Sequence, residues 1–182
     1  MKLLSRLHLT AIAAVVIMAV GVGVAVAGTQ GHHQPGGKHG VRVGKHGHDG
    51  KCPHGRQLER NKATVVAYYT TAFNDQKPEE AVAKYGGPVY IQHNPQAADG
   101  FQAFIDFVKF FTTQNPQLHV DIKRVIAECD LVVTHSHLTL NPSDRGSAVA
   151  DIFRLNRDGK VVEHWDVIQA VPETSANDNT MF

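Results

Sequence analysis

Two histidines one residue apart, His135 and His137, interrupt the apolar run VVTHSHLTL at residues 132–140. Side chains alternate faces in an extended chain, so both imidazoles point the same way. Downstream, DIFRLNRDGKVVEHWDV (residues 151–167) sets Asp151, His164 and Asp166 among Phe153, Leu155 and Val162. Carboxylates beside imidazoles suit proton transfer, with one group accepting and the other donating. The same residue types also ligate metals, and a His-x-His pair presents two ligands at once. Facing water is the third option for the pair, and spacing alone leaves all three open.

The Asp158-Gly159 turn sets a register for the flanking strands. If Arg157 pairs with Lys160, then Leu155 faces Val162, Phe153 faces His164 and Asp151 faces Asp166 on one side of the sheet. The other side pairs Arg154 with Glu163 and Ile152 with Trp165, and the opposite charges at Arg154 and Glu163 favour this register. Two carboxylates opposed on a partly apolar face are costly unless one is protonated or hydrogen-bonded. If the odd face of residues 131–140 is the concave one, His135 and His137 meet Asp151 across a strand pair. That trio would be acid–base machinery.

The elements that hold these groups follow from periodicity. Leu58, Val65, Tyr69 and Phe73, widened by Val66 and Ala72, predict an amphipathic helix over residues 57–73. Pro78 opens a second, shorter helix that Gly86-Gly87 stops. A strand over residues 89–93 breaks at Asn94-Pro95. Asp99 is expected to cap a third helix, with Phe101, Phe104, Ile105, Val108 and Phe111 on one face. The period then changes from 3.6 to 2, giving strands near 118–126, 131–140, 146–155 and 161–171. Helices first and an antiparallel meander later make an α+β domain, a curved antiparallel sheet wrapped by three N-terminal helices and enclosing a pocket.

The ends of the 182-residue chain are of another kind. Residues 1–27 carry Lys2 and Arg6, an apolar run from Ala11, and a final Ala25-Val26-Ala27, the pattern of a secretory signal cleaved after Ala27. The expectation is an exported protein, periplasmic or extracellular, with no stable membrane insertion after cleavage. Residues 28–56 hold nine Gly and six His with few large apolar side chains, and read as a disordered linker able to bind metal ions weakly. The folded body is expected over 57–173, with a flexible tail over 174–182. Net charge is +1, but the linker is basic and the body acidic, so the body lacks the basic stripe of a nucleic-acid binder. Cys52 and Cys129 lie far apart in sequence with nothing to fix their distance, so the body is expected to rest mainly on its own core.

Three stretches, YIQHNPQAADG (90–100), DLVVTHSHL (130–138) and DIFRLNRDGKVVEHWDV (151–167), together resemble the SnoaL-like family of the nuclear-transport-factor-2-like superfamily. The likeness spans roughly Leu58 to Pro172. It implies a cone-shaped α+β barrel with a deep pocket, and aldol-type ring closure with no metal or organic cofactor. In the polyketide cyclases of the family an Asp before the Gly turn is the general acid/base, and Asp151 matches it. Two polar residues two apart on the preceding strand support it; His135 and His137 match them, the first being Gln in the cyclases. His93 and Asn94 match a pocket-lining region, with Tyr90 and Gln92 beside them. The family also implies a homodimer through the outer sheet face that carries Ile152 and Trp165.

Three functional readings stand at this point. One is a cofactor-independent cyclase, isomerase or lyase acting on a small carbonyl compound, with Asp151, His137 and His135 catalytic. His93, Asn94, Tyr90, Gln92, His164, Asp166 and Phe153 would then bind substrate. Another is a non-catalytic module for a small hydrophobic ligand. The last is a metal-linked protein, through the His-x-His pair with Asp151 or His164 and through the His-rich linker.

Overall fold

The computed structural model describes Cys52 and residues 54–182. The expected signal sequence and most of the expected His-rich linker lie outside the described residues. The first helix, α1 (Arg56–Tyr69), buries Val65, Tyr68 and Tyr69 on one stripe. It runs into a π-helical turn, Thr70–Asn74, where the N–H of Asp75 reaches the carbonyl of Thr70 at 2.9 Å. The wider turn keeps Ala72 and Phe73 on the buried side that Tyr69 begins. Asn74 then acts as a strand partner: its amide both donates to and accepts from the backbone of Val120, at 2.9 and 2.8 Å.

Helix α2 (Pro78–Tyr85) starts with proline at its first turn, as its sequence predicts. It passes directly into β1 (Gly86–Gln92). Gly86 and Gly87 allow that close passage: a Cβ on Gly86 would lie 2.6 Å from the Val82 carbonyl oxygen, and one on Gly87 2.6 Å from Val162 Cγ1. Helix α3 (Phe101–Gln114) buries Phe104, Val108 and Thr112. Asp99 is not its cap, contrary to expectation. Its Oδ1 instead accepts the backbone N–H of Gln92 at 2.7 Å, tying the end of β1 to the loop before the helix.

Four strands complete the domain: β2 (His119–Glu128), β3 (Leu131–Thr139), β4 (Ser147–Leu155) and β5 (Val161–Ala170). They form an antiparallel meander, as predicted. The sheet is mixed rather than purely antiparallel, because β1 joins the β5 edge in parallel, giving the order β1-β5-β4-β3-β2. The helices pack on one face, and Val65, Tyr68, Phe104, Val108, Val132, Phe153 and Leu155 form the core between the layers. Burying each such large apolar side chain contributes about 1.5–3 kcal/mol.

The β4–β5 register follows the sequence reading over most of its length, pairing Asp151 with Asp166, Phe153 with His164, Ile152 with Trp165 and Arg154 with Glu163. Next to the turn it slips: Leu155 pairs with Val161, not Val162, at a bulge. Cys52 and Cys129 form a disulfide, a pairing that the sequence left open. Cys129 sits with positive φ in the two-residue turn between β2 and β3, and Cys52 lies just before α1.

Candidate active site

The sheet's inner face is built by alternation. On β4 the inward residues are Val149, Asp151, Phe153 and Leu155, all buried. On β3 they are Val132, Thr134 and Ser136. Thr134 pairs with Asp151, whereas His135 pairs with Ala150 and His137 with Ala148. The expected trio is therefore not assembled. His135 and His137 occupy the outer face, where the first accepts from Arg124 Nη1 at Nδ1 (2.9 Å) and the second reaches the Arg145 carbonyl at Nε2 (2.8 Å). The ring of Phe182 stacks on His137 at 4.2 Å. Parity decides this: residues 140–146 join β3 to β4, and one residue more or fewer would exchange the faces.

Asp151 is 1% exposed and does not lack partners. Its Oδ1 accepts from the Tyr69 hydroxyl at 2.7 Å and its Oδ2 from the Thr134 hydroxyl at 3.0 Å. His164 Nε2 lies 3.2 Å from Asp151 Oδ1 and 3.2 Å from Tyr69 Oη, closing a triangle of three heteroatoms. Burial, followed by the charge of Asp151, pushes the Tyr69 phenol well above its usual range, so it is a donor.

The other side of the His164 ring fixes where one of its hydrogens lies. Its Nδ1 is 3.0 Å from Gln92 Oε1, and that oxygen also accepts the Asn94 backbone N–H at 2.9 Å. A backbone N–H needs an acceptor, so the amide oxygen faces the imidazole and Nδ1 carries hydrogen. Nε2 then meets Asp151 as a bare lone pair or with one further proton. Tyr69 has only one hydrogen for two acceptors. The triangle thus sets a carboxylate oxygen, a phenol and an imidazole nitrogen within proton-sharing distance of one another.

Asp166, opposite Asp151, is held by a different partner. Asn94 Nδ2 lies 2.9 and 2.8 Å from its two oxygens. Tyr90 is buried, and Gln92 Nε2 points to its hydroxyl at 3.4 Å. Along β5 the inward row runs from His164, 4% exposed, through Asp166 to Ile168, 55% exposed. The inner face therefore opens to solvent on the Asp166 side of the triangle.

Of the residues singled out from sequence, the structure brings Tyr90, Gln92, Asn94, Phe153, His164 and Asp166 together with Asp151. It does not bring His93, His135 or His137. His93 lies flat on the Trp165 ring at 4.5 Å and pairs with Glu163 at 2.7 Å, both on the outer side. Tyr69 and Thr134 were missed. Tyr69 was counted only as part of an apolar stripe, and Thr134 lies one residue from the histidines that drew attention. The metal set built on His-x-His falls with the pair's orientation. Asp151, His164 and Asp166 do offer ligand atoms within 4.8 Å of one another, but each of the three already holds hydrogen bonds to protein groups.

The pattern of a SnoaL-like domain matches residues 65–164. The chain belongs to the SnoaL-like family. A protein from Jannaschia sp. CCS1 provisionally named a SnoaL-like polyketide cyclase is similar at 23% identity and a TM-score of 0.53, over 64% of this chain and 90% of that one. A provisionally named ketosteroid isomerase from Kribbella flavida is similar at 18% identity and 0.53, over 69% and 90%. A SnoaL-like protein of unknown function from Burkholderia thailandensis is similar at 14% identity and 0.50, over 60% and 95%. At these identities the likeness establishes the fold. No curated protein matches the chain.

Proposed function

We propose that this SnoaL-like protein is a cofactor-independent acid–base enzyme acting on a small carbonyl compound, as a cyclase, isomerase or lyase. The observation that carries the reading is the buried Tyr69–Asp151–His164 triangle, with contacts of 2.7 and 3.2 Å. Asp151 accepts a proton from the carbon next to the carbonyl: the C–H bond breaks, an O–H bond forms on the carboxylate, and the electron pair moves to the carbonyl oxygen. His164 stands at the same oxygen of Asp151 to take or return that proton. Tyr69 and Thr134 hold the carboxylate in position from its two oxygens.

The names of the structural relatives, a cyclase and an isomerase, are of this chemical kind and support the reading. The sequence of residues 1–27 supports export, and a Cys52–Cys129 disulfide suits an oxidising compartment. A polyketide made in the cytoplasm would not meet an exported enzyme, so the carbonyl compound is one found outside the cell membrane. Exposed Ile126 and Val167 on the outer face support a homodimer through that face, which sedimentation velocity would detect.

The experiment is carbon–hydrogen exchange. A panel of small ketones, β-keto esters and enones is incubated with the protein in deuterium oxide and followed by proton NMR. Incorporation next to the carbonyl by the wild type, and not by Asp151→Asn, supports the assignment. No incorporation above the buffer rate anywhere in the panel speaks against it.

A further inference from the structure

The His-x-His pair has an occupant on the outer face. Alternate residues of one strand stand about 6.6 Å apart on the same side, so two planar rings there form a ledge that one further ring can span. Both imidazoles are oriented from the side, His135 by the Arg124 guanidinium at 2.9 Å and His137 by the Arg145 carbonyl at 2.8 Å. The Phe182 ring lies over them, 4.2 Å from the His137 ring and 5.8 Å from that of His135, tilted by 27° and 24°. Lys123 Nζ stands 5.9 Å from the centre of the same phenyl ring, close enough for an ammonium to be drawn to a ring face. Lys123 lies in the β2 bulge between Ile122 and Arg124, and its Nζ also donates to Asp121 Oδ2 at 2.6 Å.

Phe182 belongs to a segment that leaves β5 after Ala170. Residues 172–180 of it are exposed, whereas Val171 on one side and Met181 and Phe182 on the other are half-buried. Between those ends the hydrogen bonds are local. Ser175 Oγ accepts the Asn177 N–H, Asn177 Oδ1 the Asn179 N–H at 2.9 Å, and Thr180 Oγ1 the Phe182 N–H at 3.2 Å. Such side-chain turns satisfy the backbone and curl an exposed chain without help from a helix or a sheet.

Both ends of the segment meet the same dipeptide, Arg145-Gly146, just before β4. The Val171 N–H donates to the Gly146 carbonyl at 2.9 Å. Phe182 covers the imidazole whose Nε2 holds the Arg145 carbonyl. The passage is tight: a Cβ on Gly146, whose φ is +75°, would lie 2.8 Å from His137 Nε2 and 2.2 Å from the Leu138 carbonyl oxygen. Next along β4, Ser147 pairs with Ala170, and Val149 with Ile168, which is 55% exposed. The dipeptide therefore borders the rim at which the inner face opens.

We infer that residues 171–182 form a strap seated on the His-x-His pair, and that the strap clamps the connection over residues 140–146 to the end of β5 at this rim. The pair then has a mechanical role in place of a catalytic one. The strap sets how freely the rim opens, while Tyr69, Asp151 and His164 stay in place on the other side of the sheet. The inference goes beyond the acid–base reading and does not depend on it.

The test compares the full chain with its Phe182→Ala, Phe182→Trp and His137→Ala variants by NMR. A ring face at 4.2 Å moves the His137 ring protons upfield, and His137→Ala assigns their signals. In Phe182→Ala those signals should return downfield toward free imidazole. The amide hydrogens of Leu140, Gly146 and Val171 should then exchange about 5- to 10-fold faster, the weight of one aromatic contact. The amides of Asn156 and Gly159, bonded within the turn at the opposite end of β4, should keep their wild-type rates. Phe182→Trp, which restores an aromatic ring, should restore slow exchange. Unchanged His137 signals in Phe182→Ala overturn the inference, as do unchanged rates at Leu140, Gly146 and Val171. Equal acceleration at Asn156 and Gly159 also overturns it, since that marks a general loss of stability and not the release of a strap.

Discussion

Gln92 Oε1 stands 3.0 Å from His164 Nδ1 and 2.9 Å from the backbone N–H of Asn94. One amide oxygen thus anchors the end of β1 and dictates which nitrogen of the imidazole carries hydrogen. The consequence reaches the far side of the ring, where Nε2 is turned bare or singly protonated toward Asp151. Removing the amide oxygen should free the ring. In Gln92→Leu, nitrogen NMR of His164 should show a mixture of tautomers, against a fixed Nδ1–H form in the wild type. Exchange activity should fall about 10-fold, the weight of one hydrogen bond.

Among the described residues Thr134 supplies the only donor seen at Asp151 Oδ2, from a fully buried position. Thr134→Val keeps the shape and removes the hydroxyl, leaving a buried carboxylate oxygen unpaired. The variant should be about 1–3 kcal/mol less stable in urea unfolding. Its exchange rate should fall with its stability, since the carboxylate loses one of its two anchors.

Much of this was legible beforehand. The element order, the proline at the start of α2 and the Asp151–Asp166 pairing all follow from periodicity and from one strong turn, Asp158-Gly159. The phase of β3 did not. Val132 and Val133 are apolar in both phases, and the connection over residues 140–146 carries no register signal. The sequence therefore permitted either face for His135. Thr134 and Ser136, small and polar, gave no hint that they were the inward pair. The parallel docking of β1 beside β5 was hidden for a related reason: contacts between distant segments leave no local period.

The β3–β4 connection has its own acid-sensitive element. The backbone N–H groups of Leu140 and Gly146 hold the Asp144 carboxyl below its ordinary range, at 2.9 and 3.0 Å. A carboxyl lowered by folding adds stability above its unfolded value near about 4, and loses it as pH falls through the lower folded value. Asp144→Ala should therefore melt below the wild type at neutral pH, by about 1 kcal/mol of stability. The gap should narrow steadily as pH is taken from about 5 toward 2. A gap independent of pH would assign the loss to shape and not to charge.

The disulfide spans a sequence separation of 77 residues. Closing a loop of that size restricts the unfolded chain and contributes about 4 kcal/mol by the chain-entropy account. Cys52→Ser with Cys129→Ser should lower the melting temperature by about 10 °C or more, and reductant should have the same effect on the wild type. Reductant should leave the double variant unchanged.

The central claim is that proton transfer belongs to the inner face around Asp151 and not to the His-x-His pair. One measurement addresses it directly: deuterium incorporation next to a carbonyl, compared side by side in wild type, Asp151→Asn and His135→Ala with His137→Ala. The account predicts a loss of about 100-fold or more in Asp151→Asn, the scale of a missing general base. It predicts a change of less than about 3-fold, under 1 kcal/mol, in the double histidine variant. The reverse pattern, with exchange surviving in Asp151→Asn and abolished without the two histidines, would contradict it.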